Sequence, residues 1–247
     1  MGNERIPKII HYCWFGNKPL PQNIIKFINS WKEHCPDYEI IEWNEDNFDV
    51  NSNVYTREAY ALAKWAFVSD YVRLKVLWDY GGIYMDTDVE VVKPLDEFLK
   101  LPAFSGFEGD NNIPTGIIGA EKNNLWIKNL LQEYDNRNFI KIDGTIDLTT
   151  NVSLITQKTK ELYSIKLDNS FQELTDMTIF PYEWFCSKSI FTGRITRTVN
   201  TYTIHHFSGS WMTKSQKFKL RLTGVIGKPV MIKLSKMKQL LLKVKKK

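Results

Sequence analysis

"DYGGIYMDTDVEVV" spans residues 79–92, and the fold is read outward from it. The apolar and β-branched run from Ile83 to Val92 reads as a strand entered through the turn Gly81-Gly82. Two carboxylates, Asp86 and Asp88, stand one residue apart within that run. Strand side chains alternate, so the two share a face, with Cα atoms about 6.6 Å apart and Thr87 opposite. A buried carboxylate without a partner is costly or shifts its pKa. The pair therefore calls for something positive, and converging carboxylates suit a hard divalent cation such as Mn²⁺ or Mg²⁺.

The neighbouring elements follow from periodicity. Residues 56–80 place Ala59, Ala63, Ala66, Phe67, Leu74, Leu77 and Trp78 near period 3.6, which predicts one long helix ended by the glycine pair. On it Asp70 and Arg73 lie at i,i+3, within hydrogen-bond reach of each other. Val68, Val72 and Leu74 crowd them, so partial burial is expected. Upstream, "IPKIIHYCWFG" (6–16) and "YEIIEWN" (38–44) read as strands. Between them, apolar residues 24, 25, 28 and 31 form a helical stripe ended by Pro36. Further strands are predicted at 103–107, 116–120, 178–180 and 201–207, and helices near 123–134 and 151–162. Strand–helix alternation of this kind predicts an α/β fold with a partly parallel sheet.

Composition narrows the classes. At 43% hydrophobic and 25% charged, the chain has apolar mass for a sizeable core. It contains no uninterrupted apolar run of about 18 residues, so no segment reads as a membrane span. Cys13, Cys35 and Cys186 are widely spaced, with no CxxC pair for zinc. Free thiols and an N-terminus without a secretory apolar stretch predict a cytoplasmic protein. The net charge of +5 is unevenly distributed. Lys214–Lys247 holds 12 basic and no acidic residues, leaving residues 1–213 with 21 basic against 28 acidic. The expected organisation is a catalytic domain over 1–213 and a basic amphipathic helical tail over 214–247.

"SDYVRL" followed by "DYGGIYMDTD" resembles the signature of the DXD-containing nucleotide-sugar glycosyltransferases of family 32. That family includes yeast initiation mannosyltransferases and bacterial capsule enzymes. The block also resembles the catalytic domain of the large clostridial glucosylating toxins. "IPKIIHYCWFG" is similar to the family's first strand, "DMTIFPYEWFCS" to its late strand and "TIHHFSGSWM" to its C-terminal metal and phosphate motif. The chain departs from the family at Thr115-Gly116, where relatives often carry Asn-Gly. It departs again at Thr150-Asn151-Val152, where they carry Thr-Gly-Pro. Both segments face the acceptor in such folds.

The resemblance implies a GT-A (Rossmann-like) fold with a mixed central sheet flanked by helices, and a metal-dependent sugar transfer from a nucleoside diphosphate, with UDP-hexose the first candidate. The implied metal ligands are Asp86, Asp88 and His206, matched by the spacing of His206 to Gly209, with His205 left structural. Asp70 and Arg73 would serve the donor sugar. Trp14 would stack on the base, with Tyr84 and Thr87 lining the donor site and Ser210 and Trp211 capping the β-phosphate. Retention of anomeric configuration is implied. No second carboxylate stands out beside the sugar, so the leaving phosphate would take the acceptor's proton.

Two rival readings differ in class. A haloacid-dehalogenase-type phosphatase also ends a strand in D-x-D-x-[TV], as "DTDV" does, but its motif opens the fold, whereas some 80 residues precede it here. A nucleic-acid-binding protein would use the basic tail, but the body is acidic and carries no helix-turn-helix, RRM or zinc pattern. No nucleic-acid partner is expected. The partners expected are a nucleotide-sugar donor, a saccharide acceptor of lipid-linked type and an anionic membrane surface met by the tail. That would make the protein peripheral on the inner face of the plasma membrane. Deleting residues 228–247 is expected to abolish co-sedimentation with anionic vesicles; unchanged partitioning would count against a membrane role for the tail.

Overall fold

The computed structural model describes residues 4–109, 111–113 and 116–208. The β-branched and aromatic run "IIHYC" forms β1 (Ile9–Cys13), buried along nearly its whole length. A helix, α1 (Gln22–His34), crosses over and buries Ile24, Ile28 and Trp31. The chain returns as β2 (Glu39–Trp43), parallel to β1 and in register from Ile9–Glu39 to Cys13–Trp43. The next crossover delivers β3 (Gly82–Met85) parallel to β1 on its other side. The three strands form the parallel half of the sheet.

The single helix expected over 56–80 is two helices, α2 (Val54–Ala61) and α3 (Trp65–Tyr80). The break lies at Ala63, whose φ of 53° is left-handed. Ala63 N–H donates to Tyr60 C=O and Lys64 N–H to Ala59 C=O, both at 2.9 Å, a Schellman-type stop built without glycine. The apolar period runs on through the break, which is why the sequence reads as continuous.

The strand expected over 83–92 also divides. β3 ends at Met85, and Asp86-Thr87-Asp88 form a turn closed by Val89 N–H donating to Asp86 C=O at 3.0 Å. The chain then enters β4 (Val89–Val91), which leaves the main sheet and pairs with β9 (Thr203–His205) in a second, two-stranded sheet. The two aspartates therefore meet at a turn rather than on one strand face.

The mixed half consists of β5 (Ala103–Gly106), β6 (Ile117–Ala120), β7 (Gln172–Glu173) and β8 (Thr178–Phe180), with β5 and β8 parallel and β7 antiparallel to β8. The seven-stranded order is β2-β1-β3-β6-β5-β8-β7. β6 runs antiparallel to both β3 and β5, so β3 and β5 point the same way. On one side α2 and α3, with α4 (Leu125–Gln132) and α5 (Asn151–Tyr163), bury Tyr55, Leu77, Trp126 and Ile155. On the other, Trp31 of α1 and Phe185 of α6 (Tyr182–Phe185) pack with Phe98 and Phe104. The result is the mixed α/β GT-A arrangement. Among the described residues no helix is long and apolar enough to cross a membrane. The tail from Lys214 lies outside the described residues.

Buried His11 fixes the entry to β3. Its Nε2–H donates to Gly81 C=O at 2.7 Å, and its Nδ1 accepts from Trp43 Nε1 at 3.1 Å. Gly82, at φ +104°, leaves room for this ring: a Cβ there would come within 2.8 Å of His11 Nε2. Burial pushes the imidazole down from 6.5 to about 4, against the opposing Gly81 hydrogen bond. Below pH 6.5 the unfolded chain takes up a proton that the folded chain refuses until about pH 4, so stability falls as pH drops through that window. Urea unfolding between pH 7 and pH 4 is expected to show a loss of about 3 kcal/mol from this group. The loss should be largely absent in His11→Gln when the two pH profiles are subtracted.

Candidate active site

The site forms where the parallel strands end. Helix α3 buries Asp70 and Arg73 on its inner face, as their apolar neighbours require. Arg73 Nη2 donates to Asp70 Oδ1 and Nη1 to Asp86 Oδ1, each at 3.1 Å, and Nε donates to Ser69 C=O at 3.1 Å. Its guanidinium lies 4.5 Å from the Tyr84 ring centroid, and the Tyr84 hydroxyl donates to Asp86 Oδ1 at 3.1 Å. The fork assigned from sequence to donor sugar or phosphate is thus turned onto protein carboxylates. Geometry explains the difference: Arg73 is only 4% exposed and sits between the helix and the end of β3.

Charge balance follows from this burial. Burial pushes the Asp70 carboxyl up to about 7, and neighbouring Asp86 adds to the rise, while Arg73 opposes both. Burial works against the Arg73 charge, but Asp86, Tyr84 and Asp70 outweigh it and hold the guanidinium above its ordinary value. Asn151, at the start of α5, donates from Nδ2 to the Asp70 carbonyl at 3.4 Å.

The second half of the site comes from the β4–β9 pair. Its register sets Val89 opposite His205, so the strand end carries the His205 ring to Asp88. His205 Nε2 lies 3.2 Å from Asp88 Oδ1, and Ser208 N–H donates to Asp88 Oδ2 at 2.6 Å. Burial raises the Asp88 carboxyl, but the His205 charge and hydrogen bond, with those from Ser208, outweigh it and hold it far below the usual range. Burial lowers His205, and Asp88 reverses this to leave the imidazole well above its ordinary value.

His206, the ligand expected from sequence, points the other way. Its Nε2 meets Glu90 Oε2 at 2.7 Å and its ring stacks on Phe27, with centroids 4.5 Å apart. Adjacent residues at the end of β9 face opposite sides, and the ladder register decides which one meets the aspartates. The residue set aside as structural, His205, is the one in the cluster.

Asp86, Asp88 and His205 bring potential ligand atoms within 4.8 Å of one another. Two carboxylates and an imidazole form a mixed oxygen and nitrogen set that suits Mn²⁺ or Mg²⁺. The His205 slot fits a ligating ring. Gly116 lies against it, where a Cβ would come within 2.7 Å of Nδ1, and the buried Cys186 thiol also reaches the ring. Trp14 follows β1, one strand from Asp86 at the same sheet edge, half-buried, with its Nε1 donating to Lys18 C=O at 2.5 Å. Thr87 sits at the turn between the two aspartates. Ser210 and Trp211 lie outside the described residues.

Residues 21–105 match the family described as glycosyltransferase sugar-binding region containing DXD motif. The matched segment holds Asp70, Arg73, Asp86 and Asp88 together. Inositol phosphoceramide mannosyltransferase 3 of Schizosaccharomyces pombe is 30% identical over 123 residues, covering 47% of this chain and 34% of that protein. Human alpha-1,4-N-acetylglucosaminyltransferase is 30% identical over 110 residues, covering 44% and 29% respectively. The chain spans about a third of the length of such curated relatives. Among solved structures, PaToxG glycosyltransferase superposes with a TM-score of 0.50 at 22% identity, covering 64% of this chain and 70% of that one. The fold is shared with that protein.

Sequence reading missed His205. It carried a signal, the adjacent histidine pair, but choosing between the two required the register. In a Mn²⁺ titration, Asp88→Ala and His205→Ala are each expected to weaken binding by more than about 10-fold. His206→Ala should stay near wild type, and the reverse ranking would overturn the cluster as drawn.

Proposed function

We propose that this chain transfers a hexose from a nucleoside diphosphate sugar, UDP-linked in the first instance, to a hydroxyl of a saccharide acceptor. The observation that carries the reading is the meeting of Asp86, Asp88 and His205 at the sheet edge that also holds Trp14 and the Arg73 fork. A donor laid along this edge would set its base against Trp14 and its diphosphate at the cluster. A divalent cation held by Asp86, Asp88 and His205 would supply charge neutralisation for the departing diphosphate without a proton transfer. Asp70, tethered through one oxygen to Arg73, would accept hydrogen bonds from donor-sugar hydroxyls. Arg73 works one step back, holding Asp70 and Asp86 in place. Attack on the face from which the diphosphate leaves would retain the anomeric configuration.

The mannosyl names of several relatives support mannose as a candidate sugar, beside glucose, galactose and N-acetylhexosamines. Relatives named for inositol phosphoceramide are named for a lipid, and the basic tail suits work beside an anionic membrane. A lipid-linked oligosaccharide in bacterial capsular or cell-surface polysaccharide synthesis fits both, with the enzyme peripheral on the cytoplasmic side of the membrane. The phosphatase alternative needs Asp86 as a free nucleophile, whereas its Oδ1 already accepts from Arg73 and Tyr84. The nucleic-acid alternative has only the tail in its favour.

Incubation with a panel of UDP- and GDP-sugars is expected to release nucleoside diphosphate from at least one of them. Release should require Mn²⁺ or Mg²⁺ and fall to background in Asp88→Ala. Inorganic phosphate as the product would point to the phosphatase, and inertness toward every donor would remove the proposal.

A further inference from the structure

Acidic residues stop at Glu183. From Trp184 to Lys247 the chain carries 15 Lys and Arg and no Asp or Glu, whereas residues 1–183 carry 18 basic against 28 acidic. The acid-free block therefore begins well before the tail, and its first part is folded. Residues 187–197 form a tight hairpin. Lys188 and Ile195 pair across it, Ser189 N–H donates to Arg194 C=O at 2.9 Å, and Thr196 N–H donates to Ser187 C=O at 2.9 Å. The tip turns at Gly193, whose φ is +70° and whose N–H donates back to Ser189 C=O at 2.8 Å. Residues 192–199 are exposed one after another, with Ile195 at 39% and Val199 at 86%.

The base of the hairpin stands at the metal cluster. Cys186, the residue before it, reaches the His205 ring. Lys188 Nζ donates to His206 Nδ1 at 3.4 Å, and Arg197 Nη2 donates to Glu90 Oε1 at 3.4 Å. Glu90 faces the hairpin, and its other oxygen is already engaged by His206 at 2.7 Å. Lys93 adds a further cation by donating to Val199 C=O. The rest of the acid-free block also sets out from the cluster, since Ser208 N–H donates to Asp88 Oδ2 at 2.6 Å. The folded hairpin and the basic tail thus start from one corner of the molecule, beside Asp88 and His205.

We propose that the hairpin 187–197, with the adjoining Val199, docks onto an anionic lipid bilayer as a folded membrane contact separate from the tail. Basic side chains interleaved with exposed apolar ones suit the boundary where phosphate headgroups meet acyl chains. Each Lys or Arg held near such a surface tightens binding about fivefold. Ile195 and Val199 gain by entering that boundary, whereas they offer a nucleic acid no ring on which its bases could stack. Docking by the hairpin turns the Asp88–His205 corner toward the headgroups, where a lipid-linked acceptor presents its sugar. The inference rests on the membrane side of the reading above and is independent of the transfer chemistry.

Flotation of the whole chain with vesicles tests it, using phosphatidylcholine alone and an equimolar mixture with phosphatidylglycerol, without donor or metal. Wild type is expected to float with the anionic vesicles. Arg194→Gln combined with Arg197→Gln should weaken that binding about 10-fold, and Val199→Ser about threefold. Tm and donor hydrolysis without vesicles should be unchanged in both. Lys128→Gln combined with Lys166→Gln removes the same charge from other surfaces and should leave binding at the wild-type level. Hairpin variants that bind like wild type would overturn the inference and leave the tail as the membrane contact, as would an equal fall in the lysine control. Tighter binding to a single-stranded oligonucleotide than to the vesicles, weakened in the arginine variant, would overturn it in favour of nucleic acid. Wild type that ignores anionic vesicles would remove the membrane reading as a whole, while leaving donor cleavage untouched.

Discussion

The buried guanidinium of Arg73 organises the site. It is closed off from water and joins Asp70 on helix α3 to Asp86 at the end of β3 through two arms of one planar fork. A desolvated cation is tolerated only with well-formed partners, and removing one partner leaves an uncompensated buried charge costing several kcal/mol. The arrangement therefore fixes the helix, the strand end and the Tyr84 ring relative to one another before any ligand arrives. Lysine could not substitute, because a point charge cannot hold two carboxylates in a fixed planar geometry.

A second constraint is the departure of the chain from the main sheet after Met85. Had β3 continued, Asp86 and Asp88 would have projected from one face of the sheet. The turn instead lifts them to the sheet edge and sends β4 across to β9, which brings His205 from about 120 residues away in sequence. Glycines provide the room: Gly82 accommodates His11 under the entry to β3, and Gly116 accommodates His205. Each close approach replaces a side chain with a ring that carries a polar nitrogen.

The electrostatics have one sign to resolve. Asp70, Asp86, Asp88 and Glu108 converge, with one guanidinium and one imidazole among them. Burial raises Asp70 and Glu108 toward neutrality, while His205 and Ser208 keep Asp88 charged. Asp86 and Asp88 are thus faced by the Arg73 guanidinium and the raised His205 imidazole. A divalent cation at the point where the Asp86, Asp88 and His205 ligand atoms meet would take over from the His205 proton, because a ligating imidazole is neutral.

Local pattern determined the element types, because apolar period and glycine placement act over a few residues: β1, α1, β2, β5, β6 and β8 fall where those signals lie. The pairing of Asp70 with Arg73 was equally legible, being set by helix spacing, whereas Asp86 and Asp88 meet at a turn and not on the strand face that their spacing predicts. Three features were not. The break at Ala63 leaves the helical period intact, so periodicity cannot register it. The choice of His205 over His206 depends on a ladder register between strands far apart in sequence. The division of residues 83–92 into β3 and β4 depends on the pairing of β4 with β9, which no local window contains. Sequence thus specified which groups the chain owns, and long-range pairing of backbone hydrogen bonds decided which of them meet.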